Sequence, residues 1–530
     1  MLLGGATLRA GYLFAFKGGE LRQRAATQQV QNMVVPAKRG TISDRHGKEL
    51  AVSEDAATVY ATPYLIKAPA SAARQIAPLL GRPEEAVFSI LADHRRGFAY
   101  LGRKLDIRRA DRIKKLKIAG IGLLDDERRY YPEGSLASQV LGTVGIDNKG
   151  LSGLELALDG DLRGSDGEQR VVKDALGDPV SLKRTHSERS GRDIRLTIDS
   201  ALQDRAETVL GEVGQTYQPK GATAIVMNPR NGDILAMANW PQVNANRVEA
   251  APPWARANRA IGFTYEPGST FKSITVAGAL QDRLVKPQTT FTIGPQIQVA
   301  DRVIKEAHGT GGVFTVSRIL AQSSNVGAVK IGLMLGAKHF DAWVRHFGFG
   351  ESTNVPLPGE SQGIVPQVKD YSGSSMGNLP IGQGLAVTPI QMAAAYSAIA
   401  NGGVLVKPRL VMDGADSAVG KRVISYRTAR RLEGMLEGVL GPTGTAPEAA
   451  VAGYDIAGKT GTAEKAVAGG YSQSKFVASF IGFAPARNAR LLVAVMVDEP
   501  KGSHTGGEVA APAFERIATF ALPYLGIAPK

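Results

Sequence analysis

Three short strings, in order along the chain, carry groups suited to acyl transfer through a serine. They are Ser269-Thr270-Phe271-Lys272, Ser323-Ser324-Asn325 and Lys459-Thr460-Gly461-Thr462. A serine hydroxyl is a weak nucleophile until a base takes its proton. Lys272 follows Ser269 by three residues, so on a helix the two share one face. A lysine can be that base where burial and neighbouring positive charge keep it neutral. Ser323 could relay a proton between Lys272 and a leaving amine, and Asn325 could hydrogen-bond both the lysine and a substrate amide. Lys459 and Thr460 suit a carboxylate, and Gly461 leaves room for a close approach. The N–H groups of Ser269 and Thr462 are candidates for an oxyanion hole.

Each string has a plainer reading. The first is also an ordinary helix start, the second a helix cap and the third a turn. Second copies occur at Ser472 to Lys475, read as a polar loop, and at Ser352-Thr353-Asn354, read as a cap or turn after Gly348-Phe349-Gly350. The third string also completes G-x-x-x-x-G-K-T from Gly453 to Thr460. A phosphate-binding loop must follow a strand and open a helix. Here Tyr454 and Ile456 read as strand, and the stretch after Thr462 runs into Gly469 and Gly470, so the nucleotide reading is set aside. The ordered triple carries more weight than any member alone.

The elements that must hold these residues follow from pattern. Pro267-Gly268 reads as a turn, and the apolar run Ile274, Val276, Ala277, Ala279, Leu280 as a buried helix behind it. Before it come a helix over 200–213 and strands over 222–227 and 234–238, joined through Pro229-Arg230-Asn231-Gly232. After it come strands over 476–483 and 491–497 around Asn488, then a helix over 513–524. Strands at both ends with helices between imply an α+β domain with an antiparallel sheet flanked by helices. The strand carrying Lys459 is expected at an edge, where a peptide backbone can pair with it. Upstream, 36–51 reads as a hairpin, and helices are expected over 68–80, 83–94 and 109–116. The charged run 183–193 marks a boundary.

At 530 residues the chain needs two or more domains, and 43% hydrophobic residues support a sizeable core. The net charge of +14 points to an anionic environment such as a phospholipid surface or wall polymer. No nucleic-acid-reading motif accompanies it, which argues against nucleic acid as a partner. The absence of cysteine removes disulfides, zinc–thiolate sites and cysteine nucleophiles. Residues 1–16 are mostly apolar, with Arg9 interrupting them and Lys17 ending them. That is short of the roughly 20 residues a spanning helix needs. We read residues 1–17 as the remnant of a membrane anchor whose first half lies upstream, and 18–34 as a juxtamembrane helix or stalk.

With these strings in view, the chain resembles the class B penicillin-binding proteins, monofunctional peptidoglycan D,D-transpeptidases. Arg39-Gly40, Asp44-Arg45, Gly47 and Leu50-Ala51 resemble the family's R-G-x-x-x-D-R-x-G motif. Gly150, Gly153 and Glu155 resemble its G-x-x-G-x-E motif. Glu266-Pro267-Gly268, Gly382-Gln383-Gly384, Thr388-Pro389 and Gln391 are also family-like. The resemblance implies an elongated N-terminal pedestal for dimerisation or partner docking over 18–190 and a penicillin-binding transpeptidase domain over 191–530. It implies Ser269 as nucleophile, Lys272, Ser323 and Asn325 as its catalytic partners, and Lys459, Thr460, Gly461 and Thr462 as substrate-binding residues. It implies stem peptides ending in D-Ala-D-Ala as substrates, β-lactams as covalent inhibitors, and no metal or organic cofactor. A polytopic glycan polymerase and other division proteins are the expected partners, with one membrane span and the catalytic domain outside the cytoplasm. The compact N-terminal region favours the septal type. The elongation type, a water-using carboxypeptidase or β-lactamase, and a non-catalytic sensor are the rivals.

Overall fold

The computed structural model describes residues 30–530 except 174–178, 307–310, 413–419 and 468–469. The anchor remnant, and 18–29 of the expected stalk, lie outside the described residues. Residues 30–34 do not continue a stalk helix. They belong to the strand Val30–Val35, which pairs antiparallel with Gly167–Lys173, itself paired with Pro179–His186. The backbone groups of 30–35 are paired by that ladder with residues 167–172, far away in sequence, which local pattern cannot reveal.

A second N-terminal sheet runs in the order Ala99–Asp106, Glu49–Ala61, Ile42–Ser43, Ile194–Arg195, with Ile121–Tyr130 also pairing Glu49–Ala61. The expected hairpin is the antiparallel pairing of Ile42–Ser43 with Glu49–Ala61. The expected helices are Pro69–Leu80, Glu84–Ala92 and Ile107–Lys115. They close a small core around Val59, Ile76, Val87, Leu91 and Leu101.

The catalytic-motif region is built on a five-stranded antiparallel sheet. Its order is Ile234–Trp240, Gly221–Met227, Leu491–Asp498, Gly470–Ala484, Ala457–Val467. Every residue of Gly221–Met227 and Leu491–Asp498 is buried, so both faces are covered and the strands read as continuous apolar runs rather than alternating ones. Helices Ser200–Tyr217 and Ala511–Tyr524 pack on each other and on this sheet. Helix Pro389–Ala400 also packs on it and is buried along its whole length. Thr388 and Gln391 close a capping box at its start, satisfying N–H groups that would otherwise be buried without partners.

The family-like N-terminal strings are used internally. Arg39 donates from Nε to Glu155 Oε2 at 2.6 Å and from Nη1 to Asp159 at 2.6 Å, and Glu155 is fully buried. Asp44 Oδ2 accepts from the Ser200 hydroxyl at 2.7 Å and from its N–H at 3.2 Å. It thereby ties the hairpin to the first turn of Ser200–Tyr217. In the structure these charged residues brace the fold from within.

Candidate active site

Tyr265 pairs through its backbone with Val387, and the chain then turns at Pro267-Gly268. Gly268 has φ +54°, a left-handed conformation that costs glycine little, and its N–H donates to Gly382 O at 3.0 Å. The turn delivers Ser269, partly exposed, into one 3-10 turn, Gly268–Phe271, that leads directly into the helix Lys272–Gln281. Three contacts fix it from below. The Thr270 hydroxyl donates to Pro267 O at 2.8 Å, the Tyr396 hydroxyl to Thr270 O at 2.6 Å, and Phe271 packs between Phe340 and Phe349.

Lys272 has no exposed surface. Its Nζ donates to Ser323 O at 2.6 Å and Asn325 Oδ1 at 2.6 Å, with Ser323 Oγ at 3.3 Å. Burial holds its pKa down at about 7, against a smaller opposing pull from Glu306. Ser323 reaches it because its φ is +59°, a region a non-glycine residue occupies only when its surroundings impose it. The next residue, Ser324, caps the long helix Asn325–His346 through Gly327 N–H. Glu306 Oε1 in turn accepts from Ser324 Oγ at 2.8 Å and Val326 N–H at 2.6 Å, a carboxylate placed where the helix start favours one. Asn325 Nδ2 donates to Lys305 O at 3.0 Å, which fixes the amide so that Oδ1 faces Lys272.

Lys459 and Thr460 lie in the strand Ala457–Val467, where the sheet ends. Lys459 is fully buried, with Nζ 3.3 Å from both Thr460 O and Thr460 Oγ1. Burial, and then the charge of Lys272, hold its pKa well below the ordinary lysine value. The Thr460 and Thr445 hydroxyls share a hydrogen bond of 2.7 Å. Thr462 is exposed, and its hydroxyl accepts from Gly506 N–H at 3.0 Å. At Gly461 a Cβ would stand 2.4 Å from Ser479 Oγ and 3.0 Å from Pro267 O and Thr270 Cγ2. Glycine is what lets the strand lie against the turn that carries Ser269.

The structure thus brings all eight sequence-selected residues to one place. Lys272, Ser323 and Asn325 are joined by hydrogen bonds, and the strand 457–467 packs on the turn carrying Ser269. The rival strings fall elsewhere. Lys459 sits inside a strand rather than between a strand and a helix, which removes the nucleotide-loop reading. Ser472 to Lys475 lies in the strand Gly470–Ala484, not in a loop, because a long hairpin continues past the sheet. There Ser472 Oγ only accepts from the Ser474 and Lys475 N–H groups, and Lys475 is exposed. Ser352 accepts from Asn354 N–H, as a turn residue does. Sequence reasoning did not select Glu306, Thr445 or Tyr396. None carries a local signature, since each acts through a contact with a residue far along the chain.

Residues 222–519 match the penicillin binding protein transpeptidase domain, and residues 34–196 the penicillin-binding protein dimerisation domain. Stage V sporulation protein D of Bacillus subtilis is 36% identical over 98% of this chain and 84% of its own length. Peptidoglycan D,D-transpeptidase FtsI of Escherichia coli is 32% identical over 97% of this chain and 87% of its own. The crystal structure of penicillin binding protein 3 from Mycobacterium tuberculosis, complexed with aztreonam, superposes with a TM-score of 0.73 at 28% identity, covering 94% of this chain and 98% of that one. With transpeptidase and dimerisation domains matched along most of its length, the chain belongs to the class B penicillin-binding proteins.

Proposed function

We propose that the protein is a peptidoglycan D,D-transpeptidase that cross-links stem peptides through an acyl-enzyme on Ser269, and that β-lactams acylate the same hydroxyl. The observation that carries the reading is Lys272. It is a buried amine held near neutrality by its surroundings, one turn from a serine and hydrogen-bonded to Ser323 and Asn325. In the first half-reaction the neutral Nζ takes the Ser269 proton as Oγ attacks the carbonyl between the last two D-alanines. The developing oxyanion is held by the Ser269 and Thr462 N–H groups. The C–N bond breaks, and D-alanine leaves with a proton relayed through Ser323. In the second, an amine from a neighbouring stem attacks the ester, the C–O bond breaks and Oγ regains its proton.

Substrate binding follows from the sheet edge. A stem peptide pairs alongside 457–467 as an added strand, and its terminal carboxylate meets Lys459 and Thr460. Among the described residues no carboxylate side chain is bonded to Lys459, so the substrate's own carboxylate is what stabilises the ammonium form there.

A septal role fits the relatives, which include FtsI and a sporulation protein. Residues 18–190 form the pedestal and 191–530 the catalytic domain. The protein works on the outer side of the cell membrane, held by a single span, with a polytopic glycan polymerase as neighbour. Among the described residues no helix is long and apolar enough to cross a membrane. Mass spectrometry after penicillin exposure tests the assignment. The adduct is expected on the peptide containing Ser269 and should vanish in Ser269→Ala. An adduct on Ser472, or labelling that survives the substitution, would sink it.

A further inference from the structure

The helix Ile107–Lys115 uses one side to close the small N-terminal core. Ala110 and Ile113 are buried there, and Leu116 packs beside them. The other side, and the turn after it, carry Arg108, Arg109, Arg112, Lys114, Lys115 and Lys117, all exposed. Asp111 is the one carboxylate in that stretch. None of the six cations has an ion-pair partner among the described residues. Arg112 Nε donates to Arg108 O at 3.4 Å.

Helix stability accounts for only part of this charge. Arg112, Lys114 and Lys115 lie in the last turn, where the helix dipole favours cations. Arg108 and Arg109 lie in the first turn, where the dipole opposes them, and no acidic residue shares that turn. Arg108 and Arg112, four positions apart, also repel each other. A cavity of about 430 Å³ beside the helix is lined by Arg103, Lys104, Arg109 and Arg128. Asp147, Asp126 and Glu54 pair with Arg103, Lys104 and Arg128, so the uncompensated charge lies on the helix face and not in a pocket. Cations spread over a convex face suit an extended anionic surface better than one small anion.

The face has apolar and aromatic edges. Ile107, 44% exposed, precedes the first arginine. Tyr64, 59% exposed, lies on a segment tied to the loop after the helix, where Thr62 N–H donates to Gly120 O at 2.6 Å. Exposed Lys67 follows it. Arginine and lysine flanked by tyrosine suit the headgroup level of a bilayer. We propose that this helix face rests on an anionic phospholipid surface and holds the N-terminal region against it by charge. The apolar side of the helix is spent on the core, so the contact is electrostatic and needs no insertion. The proposal rests on the membrane-held placement given above and involves no residue of the acyl-transfer site.

The full chain is floated with vesicles of mixed phosphatidylglycerol and phosphatidylcholine, or of phosphatidylcholine alone, so that any hold by the apolar residues 1–16 is common to both. The mixed vesicles are expected to bind at least about tenfold more tightly at low salt, and the difference should collapse at high salt. Each cation near such a surface is worth about fivefold, so the combined change Arg112→Glu, Lys114→Glu, Lys115→Glu should weaken binding at least about 10²-fold. The pair Arg108→Glu, Arg109→Glu puts acid where the helix start favours it. It should weaken binding at least about tenfold with a melting temperature no lower than before. If the triple variant misfolds, the pair decides alone. Equal binding to both vesicle types, indifference to the folded variants, or tighter binding of soluble polyglutamate than of mixed vesicles at equal total charge would each overturn the proposal. Fractionation of cells making the same variants reads the membrane placement separately, because the anchor and not this helix governs it.

Discussion

The role of Lys272 can be read from the pH dependence of acylation. An ordinary lysine, at 10.5, is neutral in only about one molecule in 3,000 at pH 7, whereas one near 7 is neutral in about half. Burial therefore raises the supply of base at pH 7 by about 10³-fold, equivalent to about 4 kcal/mol. In the proposed mechanism the neutral amine is the form that accepts the Ser269 proton, so activity should rise with pH and be lost on acidification. About one-tenth of the molecules are neutral at pH 6 and about nine-tenths at pH 8. The second-order rate of acylation by a fluorescent penicillin should thus climb about tenfold across that interval, with its midpoint near 7. Stopped-flow labelling with a melting curve at each pH measures it. Lys272→Arg, which stays protonated, should lose at least about 10³-fold. A flat profile from pH 6 to 8, a midpoint near the ordinary lysine value, or near-normal acylation by Lys272→Arg would refute the reasoning.

Three further outcomes follow from other parts of the molecule. Lys459→Ala should weaken acylation by substrates with a free terminal carboxylate and much less by amidated analogues, measured as a ratio of acylation efficiencies; equal losses would contradict the carboxylate contact. Gly461→Ala must move Ser479, Pro267 or Thr270 to admit its Cβ. Because a displacement of ~1 Å at a reacting group costs about 10²-fold, penicillin acylation should fall by that order while circular dichroism stays native. Glu207 is buried, and its pKa is pushed up to about 7 from 4.5 by burial, although Gln203, Ala137 N–H and Gln242 all donate to it. A raised carboxyl favours the folded state fully below its unfolded value, and that contribution, about 3 kcal/mol, is lost as pH rises through the folded one. The melting temperature should therefore drop between pH 5 and pH 8 in the native protein and drop less in Glu207→Gln; parallel curves would show that Glu207 is not the titrating group.

Much of the architecture was legible because it depends on residues close in sequence. Apolar period and turn residues located the strands at Gly221–Met227, Ile234–Trp240 and Leu491–Asp498 and the helices at Ser200–Tyr217 and Ala511–Tyr524. Pro267 and Gly268 announced the turn, and the three-residue spacing put Ser269 and Lys272 on one face. Where the reading failed, at Val30–Val35 and at Ser472 to Lys475, the deciding partner was a strand elsewhere in the chain or a hairpin longer than its apolar part.

The sequence by itself determined which groups were available: a serine, two lysines, an asparagine and a glycine in fixed local order. Tertiary structure decided what those groups are. Lys272 is a candidate base because residues 51 and 53 positions away close over it and strip its water. Ser323 reaches it through a left-handed backbone that the Ser324 cap and Glu306 sustain. The carboxylate contact proposed for Lys459 depends on its strand ending the sheet and lying against the turn that carries Ser269. Desolvation and strand order are sums over many distant contacts, so no local spacing encodes them.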